Sequence, residues 1–279
     1  MLVFASLVVL AFVAASLLNF WVAVRPPRIA IPGSPKDYQL SAEDVTIRAD
    51  DGVALAGWLV ARPGAPAVIL HHGYPAEKAD LLPLASALAR RFTVLLVDLR
   101  YFGKSGGRVT TLGFRERADL ARAVDFLERR GLGPVGVFGF SLGGAIALLA
   151  AAEDPRIRAV AAHSPFADLR VLGRDLYAFL WVLRFPLIEL MVVWSRVFLG
   201  GDLTRPSPET AAERLGIPVL LIASPSDEQI PFHHAERLRR ALARNANARF
   251  DFADHGAHGA LGPGSGERLV SFFADHLAR

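Results

Sequence analysis

Read as a pattern of apolar and polar positions, the chain opens on an unbroken apolar stretch. A short polar joint follows, and then a long alternation of brief apolar runs with amphipathic segments. Leu2 to Val24 holds no charged side chain, and its clearly polar members are Ser6, Ser16 and Asn19. A helix of that length rises about 34 Å, enough to cross a hydrocarbon core of about 30 Å. Trp21 stands near one end, where an indole favours the membrane interface. Arg25-Pro26-Pro27-Arg28 then stops the helix and adds positive charge. A single-pass transmembrane anchor over residues 1–24 is expected, with a linker over 25–43. A cleaved signal peptide fits less well, because a basic start and a convincing Ala-x-Ala site before Arg25 are missing and the run is too long. A core helix would be unusually long and uniformly apolar. Arg25 and Arg28 follow the span and no Lys or Arg precedes it, so the positive-inside tendency favours a cytoplasmic location for the remainder.

From about residue 44 onward the pattern predicts one domain. Val45–Ile47 and Val53–Val60 flank Asp51-Gly52, a hairpin signal. Apolar runs at Ala67–Leu70, Phe92–Leu99, Val135–Phe138, Val160–Ala162, Val219–Ala223 and Arg249–Phe252 predict strands. Helical patterns fall between them, at about 79–91, 114–130 and 142–152, and again from 267 to the end. In the second of these, Leu120, Val124 and Leu127 share one stripe. Strands apolar on both faces and alternating with helices predict an α/β fold with a mostly parallel sheet covered on both sides. Between His163 and Pro218 no strand pattern occurs, and Tyr177, Phe179, Trp181, Phe185, Trp194 and Phe198 crowd one segment. This predicts an inserted helical cap over about 164–212. A second membrane span is disfavoured there, because Arg184, Pro186, Glu189 and Arg196 interrupt it.

Composition narrows the partners. The 279 residues are 52% hydrophobic and 21% charged, ample for a buried core. The mean hydropathy of +0.33 asks for an apolar stretch facing lipid or a greasy pocket. The net charge of +4 comes from arginines spread along helices, with no basic block interleaved with aromatics, so no nucleic-acid partner is expected. The absence of cysteine excludes disulfides, thiolate metal sites and cysteine nucleophiles.

The sharpest chemical signal is Gly139-Phe140-Ser141-Leu142-Gly143, standing between a strand and a small-residue helix. A serine on so tight a strand-to-helix turn needs neighbours without side chains, which the two glycines supply. The helix N-terminus then aims free N–H groups at the reaction centre. His71-His72-Gly73-Tyr74 follows another strand, and the backbone N–H of Tyr74 can join that of Leu142 as an oxyanion hole, with both histidine side chains structural. Serine needs a base, and the base an orienting acid. Asp227 follows the strand at 219–223, with Glu228 as the fallback acid. His258 is favoured over His255 as the base, because Ala257 and Gly259 suit a histidine on a loop. His233, His234 and His276 fall inside helix patterns and are expected on the surface. No cofactor is needed, and no metal site is expected, since His255 and His258 lack partner ligands at convincing spacing.

On these motifs the sequence resembles the α/β-hydrolase superfamily, in particular its membrane-anchored, serine-aminopeptidase-like and dienelactone-hydrolase-like branch. The likeness runs from about Asp44 to the C-terminus. It also rests on Asp50-Asp51-Gly52, Asp98 to Ser105, Gly144, Ser226-Asp227-Glu228 and Gly256-Ala257-His258-Gly259. The resemblance implies Ser141, Asp227 and His258 as nucleophile, acid and base, and Leu142 and Tyr74 as oxyanion donors. It implies that residues 98–105 form a loop supporting the site. His71-His72-Gly73-Tyr74 lacks the glycine run of many lipases. Tyr101-Phe102 replaces a common Arg-Gly step, which would narrow the pocket. The expected activity is a carboxylesterase acting on an apolar small-molecule ester through an acyl-enzyme. The rivals are a thioesterase or peptidase of the same chemistry, or a non-catalytic, membrane-tethered binding protein.

Overall fold

Asp51-Gly52 does reverse the chain: Gly52 takes φ +83°, and β1 (Glu43–Arg48) pairs antiparallel with β2 (Ala54–Val60) across it. The computed structural model describes residues 1–277. Within them, the remaining strands are β3 (Ala67–His71), β4 (Thr93–Val97), β5 (Val135–Phe140), β6 (Ile157–His163), β7 (Val219–Ile222) and β8 (Ala248–Asp251). They form one sheet in the order β1-β2-β4-β3-β5-β6-β7-β8. Beyond the antiparallel β2–β4 pair, all neighbours are parallel.

The apolar runs in the central strands are continuous because both faces are covered. On one face Ile69, Leu95 and Val137 pack with Leu120, Val124 and Leu127 of α3 (Glu116–Arg129) and with Ile146 and Leu148 of α4 (Leu142–Ala151). On the other, Val68, Leu70, Leu96 and Phe138 meet Leu82 and Leu88 of α2 (Leu82–Leu88), with Phe272 and Phe273 of α9 (Ser265–Leu277). Successive residues of a strand thus feed opposite cores, the period-two consequence of the pleat. α8 (His233–Ala241) lies between β7 and β8 in the chain.

Between β6 and β7 comes the expected helical insertion: α5 (Leu169–Leu176), a 3-10 stretch over Ala178–Leu183 kinked at Trp181, α6 (Arg184–Leu199) and the short α7 (Pro208–Ala212). Asp168 caps α5 by accepting the N–H groups of Arg170 and Val171. Val3–Val24 and Ala178–Leu199 are both long and apolar enough to cross a membrane, by length and composition. The second carries Glu189, paired with Arg170 and Arg174, and Arg196, paired with Asp202, which ties it to the cap instead.

The first helix, α1 (Leu2–Val24), does not stand clear of the domain. Its first half is exposed, but Ser16, Phe20 and Val24, at helical spacing, are buried against α6 and Leu203. Ser16 Oγ accepts the indole N–H of Trp194 at 2.9 Å, and Asn19 Oδ1 accepts the hydroxyl of Tyr177 at 3.1 Å. The following segment is strapped down as well: the hydroxyl of Tyr101 donates to the carbonyl of Pro26, and Glu77 accepts the N–H of Ile31.

Candidate active site

β5 delivers Ser141 to the rim of the sheet, where it caps α4 with φ 51° and ψ −114°. A non-glycine residue with positive φ is strained, and here the surroundings fix it. The N–H of Ser141 donates to the carbonyl of His163 at 2.8 Å. A Cβ on Gly139 would lie 2.1 Å from the carbonyl oxygen of Gly143, and one on Gly143 would lie 2.4 Å from that of His71. Neither position admits a side chain, which is why the serine is bracketed by glycines. Gly73 is equally confined: its Cβ would meet the Phe140 ring at 2.8 Å and the Ser141 Cβ at 3.2 Å. The loop after β3 therefore passes directly over the serine.

His72 orients that loop. Its Nε2 accepts the N–H of Leu99 at 3.0 Å, so the neutral ring carries its proton on Nδ1 and donates it to the carbonyl of Gly73 at 2.8 Å. The Gly73–Tyr74 peptide is planar and trans, so the Tyr74 N–H points away from His72. Among the described residues, the N–H groups of Tyr74 and Leu142 donate to no protein acceptor. Burial keeps His72 and His71 neutral, and the pKa of His71 falls to about 3.

On the far side, Asp227 follows β7 and His258 lies on the loop after β8. His258 Nδ1 and Asp227 Oδ2 are 2.8 Å apart, with both side chains buried. Burial would raise the Asp227 carboxyl, but the imidazole, the N–H of Ile230 and the hydroxyl of Ser164 outweigh it and hold it below its ordinary value. Glu228 accepts the backbone N–H of His258 and is fully exposed, so it braces the loop rather than the ring. His255 is engaged by Asp251 at 3.0 Å. The His258 ring rests 4.8 Å from that of Phe140, the residue before the serine. Gly259, at φ +86°, lets the loop approach, since a Cβ there would lie 2.9 Å from the Phe140 ring. Ser141 is joined to the pair through this packing; among the described residues no hydrogen bond links its hydroxyl to the imidazole.

A cavity of about 340 Å³ opens at Ser141, Leu142 and Tyr74 and runs between the cap and the end of α1. Its walls are mostly aliphatic and aromatic, which suits an acyl chain. Tyr101 and Phe102 do not line it, contrary to the expectation that they would narrow it. Phe102 is buried beneath the rings of His72, Tyr74 and Tyr101.

Three further features were missed by the sequence reading. Lys78 is buried and paired with Asp98, which also accepts the N–H groups of Lys78 and Lys104 and so folds the loop behind His72. His163, at the end of β6, sits 5.2 Å from Phe140, and burial together with the nearby His258 lowers its pKa to about 4. His234 is not a surface residue: it is fully buried, accepts the N–H of Ala167 on Nδ1 and meets Asp175 of α5 at 3.1 Å through Nε2. Asp175, His233 and His234 offer three ligand atoms within 4.8 Å of one another. The Ala167 bond, however, places the His234 proton on Nε2, where a metal would need a lone pair. A hydrogen-bonded tie from cap to body fits these atoms better.

Comparison with known proteins agrees with this architecture. The model of the alpha/beta hydrolase fold matches residues 66–184. The protein YfhR of Escherichia coli is 31% identical over 210 residues, covering 71% of this chain and 67% of its own. The thiohydrolase aneE of Aspergillus aculeatus is 32% identical over 126 residues, 42% of this chain and 40% of its own. An esterase of Pyrococcus furiosus superposes with a TM-score of 0.75 at 26% identity, covering 92% of this chain and 99% of its own.

Proposed function

The chain belongs to the α/β-hydrolase family, and we propose that it is a serine esterase, anchored to a membrane by α1, that cleaves apolar carboxylic esters. The observation that carries this reading is the pairing of His258 with Asp227, on a loop packed against the strained turn that presents Ser141 to an apolar cavity. His258 Nε2 takes the proton of Ser141 as Oγ attacks the ester carbonyl. The N–H groups of Tyr74 and Leu142 receive the oxyanion. As the tetrahedral intermediate collapses, the imidazolium gives its proton to the departing alcohol, leaving an acyl-enzyme. Water, deprotonated by His258, attacks the acyl carbonyl, and collapse of the second intermediate returns the proton to Ser141 and frees the acid. Asp227 keeps the imidazole in the tautomer that leaves Nε2 free to accept. On this reading the hydrogen bond from the Ser141 hydroxyl to His258 Nε2 forms when substrate binds, since catalytic hydrogen bonds commonly tighten only in the complex.

A fluorophosphonate probe should label the folded protein at Ser141, and p-nitrophenyl esters should be turned over. Ser141→Ala should abolish both, with kcat falling by about 10⁴-fold or more. Full turnover by Ser141→Ala, or no labelling of the folded protein, overturns the assignment. The thiohydrolase relative favours one second reading, a thioesterase of identical machinery. Acyl-coenzyme A cleaved faster than the matching oxygen ester would select it. Arg25 and Arg28 support a cytoplasmic catalytic domain. Digestion of that domain by protease added outside intact cells overturns this placement.

A further inference from the structure

The cavity at Ser141 is closed on one side by the apolar N-terminal helix: Phe20, Val22, Ala23 and Val24 of α1 line it, opposite Leu172 and Tyr177. This end of α1 is fixed in place. Tyr74 donates its hydroxyl to the carbonyl of Ala23 at 3.1 Å, and Thr110 donates its N–H to that of Val24 at 3.0 Å. The same tyrosine therefore contributes its backbone to the oxyanion site and its side chain to holding the anchor.

Spanning lipid requires nearly all of α1, about 34 Å of helix for a core of about 30 Å. One face of its last two turns, carrying Phe20 and Val24, is buried against the protein, so a spanning α1 draws the cavity down to the membrane surface. Trp21, with the guanidinium of Arg25 stacked at 4.5 Å, marks the interface at the level of Phe20 and Val22, which line the cavity. The cap carries matching apolar surface: Phe179, Trp181, Val182 and Leu183 are exposed, and the half-exposed Phe198 touches Trp21 at 5.3 Å between ring centres. The surfaces of α1 and of the cap thus meet.

We propose that α1 is the acyl-specificity wall of the enzyme, and that the substrate is an acyl ester resident in the bilayer, whose chain slides between the last turn of α1 and the cap to reach Ser141. This rests on the esterase reading above and adds the substrate class and the residues that select it. Ala23 sets the length of chain admitted, because its methyl group takes up little of the cavity that it lines together with Ser141. Phe20 closes the same wall with a larger ring.

The full chain in phosphatidylcholine vesicles tests this with p-nitrophenyl acetate, octanoate and dodecanoate. Ala23→Phe should lower kcat/KM for the two longer esters at least about tenfold while sparing acetate, and Phe20→Ala should shift preference toward dodecanoate. With dodecanoate, the rate should follow its mole fraction in the bilayer at constant bulk concentration. Dodecanoate binding to Ser141→Ala protein, and its loss in the Ser141→Ala, Ala23→Phe double variant, reads the wall without turnover. Unchanged chain-length ratios in both α1 variants overturn the specificity wall, and a rate that follows bulk concentration overturns the bilayer source. Should the wild-type protein cleave no ester while dodecanoate binding still depends on Ala23, the esterase reading falls and the acyl site stands.

Discussion

One buried imidazole decides which way a peptide faces. His72 bridges the N–H of Leu99 and the carbonyl of Gly73, and so turns the Tyr74 N–H toward the serine side. If the Tyr74 N–H receives the oxyanion as proposed, replacing His72 with Ala should leave KM nearly unchanged and lower kcat by about 10²-fold, because such a donor matters most in the transition state. A KM effect with kcat intact would assign His72 to substrate binding instead. Behind it, Lys78 and Asp98 form a fully buried pair. Lys78→Met should cost about 3–5 kcal/mol, since it strands a buried carboxylate. The double variant with Asp98→Asn should recover part of that loss in chemical denaturation. The glycines around Ser141 could be read from the sequence because close backbone contacts forbid any other residue there. Lys78 could not. A lysine ahead of a helical pattern looks solvated, and what buries it comes from Trp58 and from Asp98, far away in sequence.

Elements were legible where periodicity met a buried surface. β3 and β4 are buried at every position, and apolar at all but His71 and Thr93, because helices cover both faces of the sheet, and α3 shows its stripe because only one side is covered. The helix expected over 79–91 is shorter: a 3-10 turn at Lys78–Leu81 precedes Pro83, and α2 ends by Leu88. The docking of α1 was hidden for a different reason. A helix apolar all round shows no preferred face, so hydrophobic pattern alone could not reveal which side meets protein. The signal lay in its rare polar residues, since Ser16 and Asn19 are the ones that bond to Trp194 and Tyr177. Ser16→Leu should therefore destabilise by about 1–3 kcal/mol through overpacking, although it makes the helix more apolar. A membrane anchor with no docked face would tolerate the change. An unaltered melting temperature in vesicles would then mean that α1 and α6 do not pack there.

Across the whole molecule, buried histidines give the fold a common response to acid. Burial lowers His71 to about 3, and lowers His163 and His234 to about 4, with nearby imidazoles adding to the effect. His71 lies on β3, His163 on β6, and His234 joins α8 to the cap through Asp175, so the three sample the sheet, the site and the cap. In the unfolded chain each takes up a proton as pH falls through about 6.5. In the folded protein they stay neutral until about 4 or below. The unfolded state thus binds more protons over that interval, and stability, complete above pH 6.5, is lost progressively as pH drops toward 4. Asp119, which burial raises to about 6, and Asp80, which burial also raises, pull the other way over part of the same window, while the buried His72 adds to the pull of the three histidines. The melting temperature should be flat between pH 7 and 8 and fall steeply from 6.5 to 4.5. His234→Gln should flatten the acid limb, since it removes one of the three ionisations while a neutral amide can still bond to Asp175. A melting temperature that rises on acidification would mean that these imidazoles are charged in the folded protein, and that carboxylates govern its response to pH.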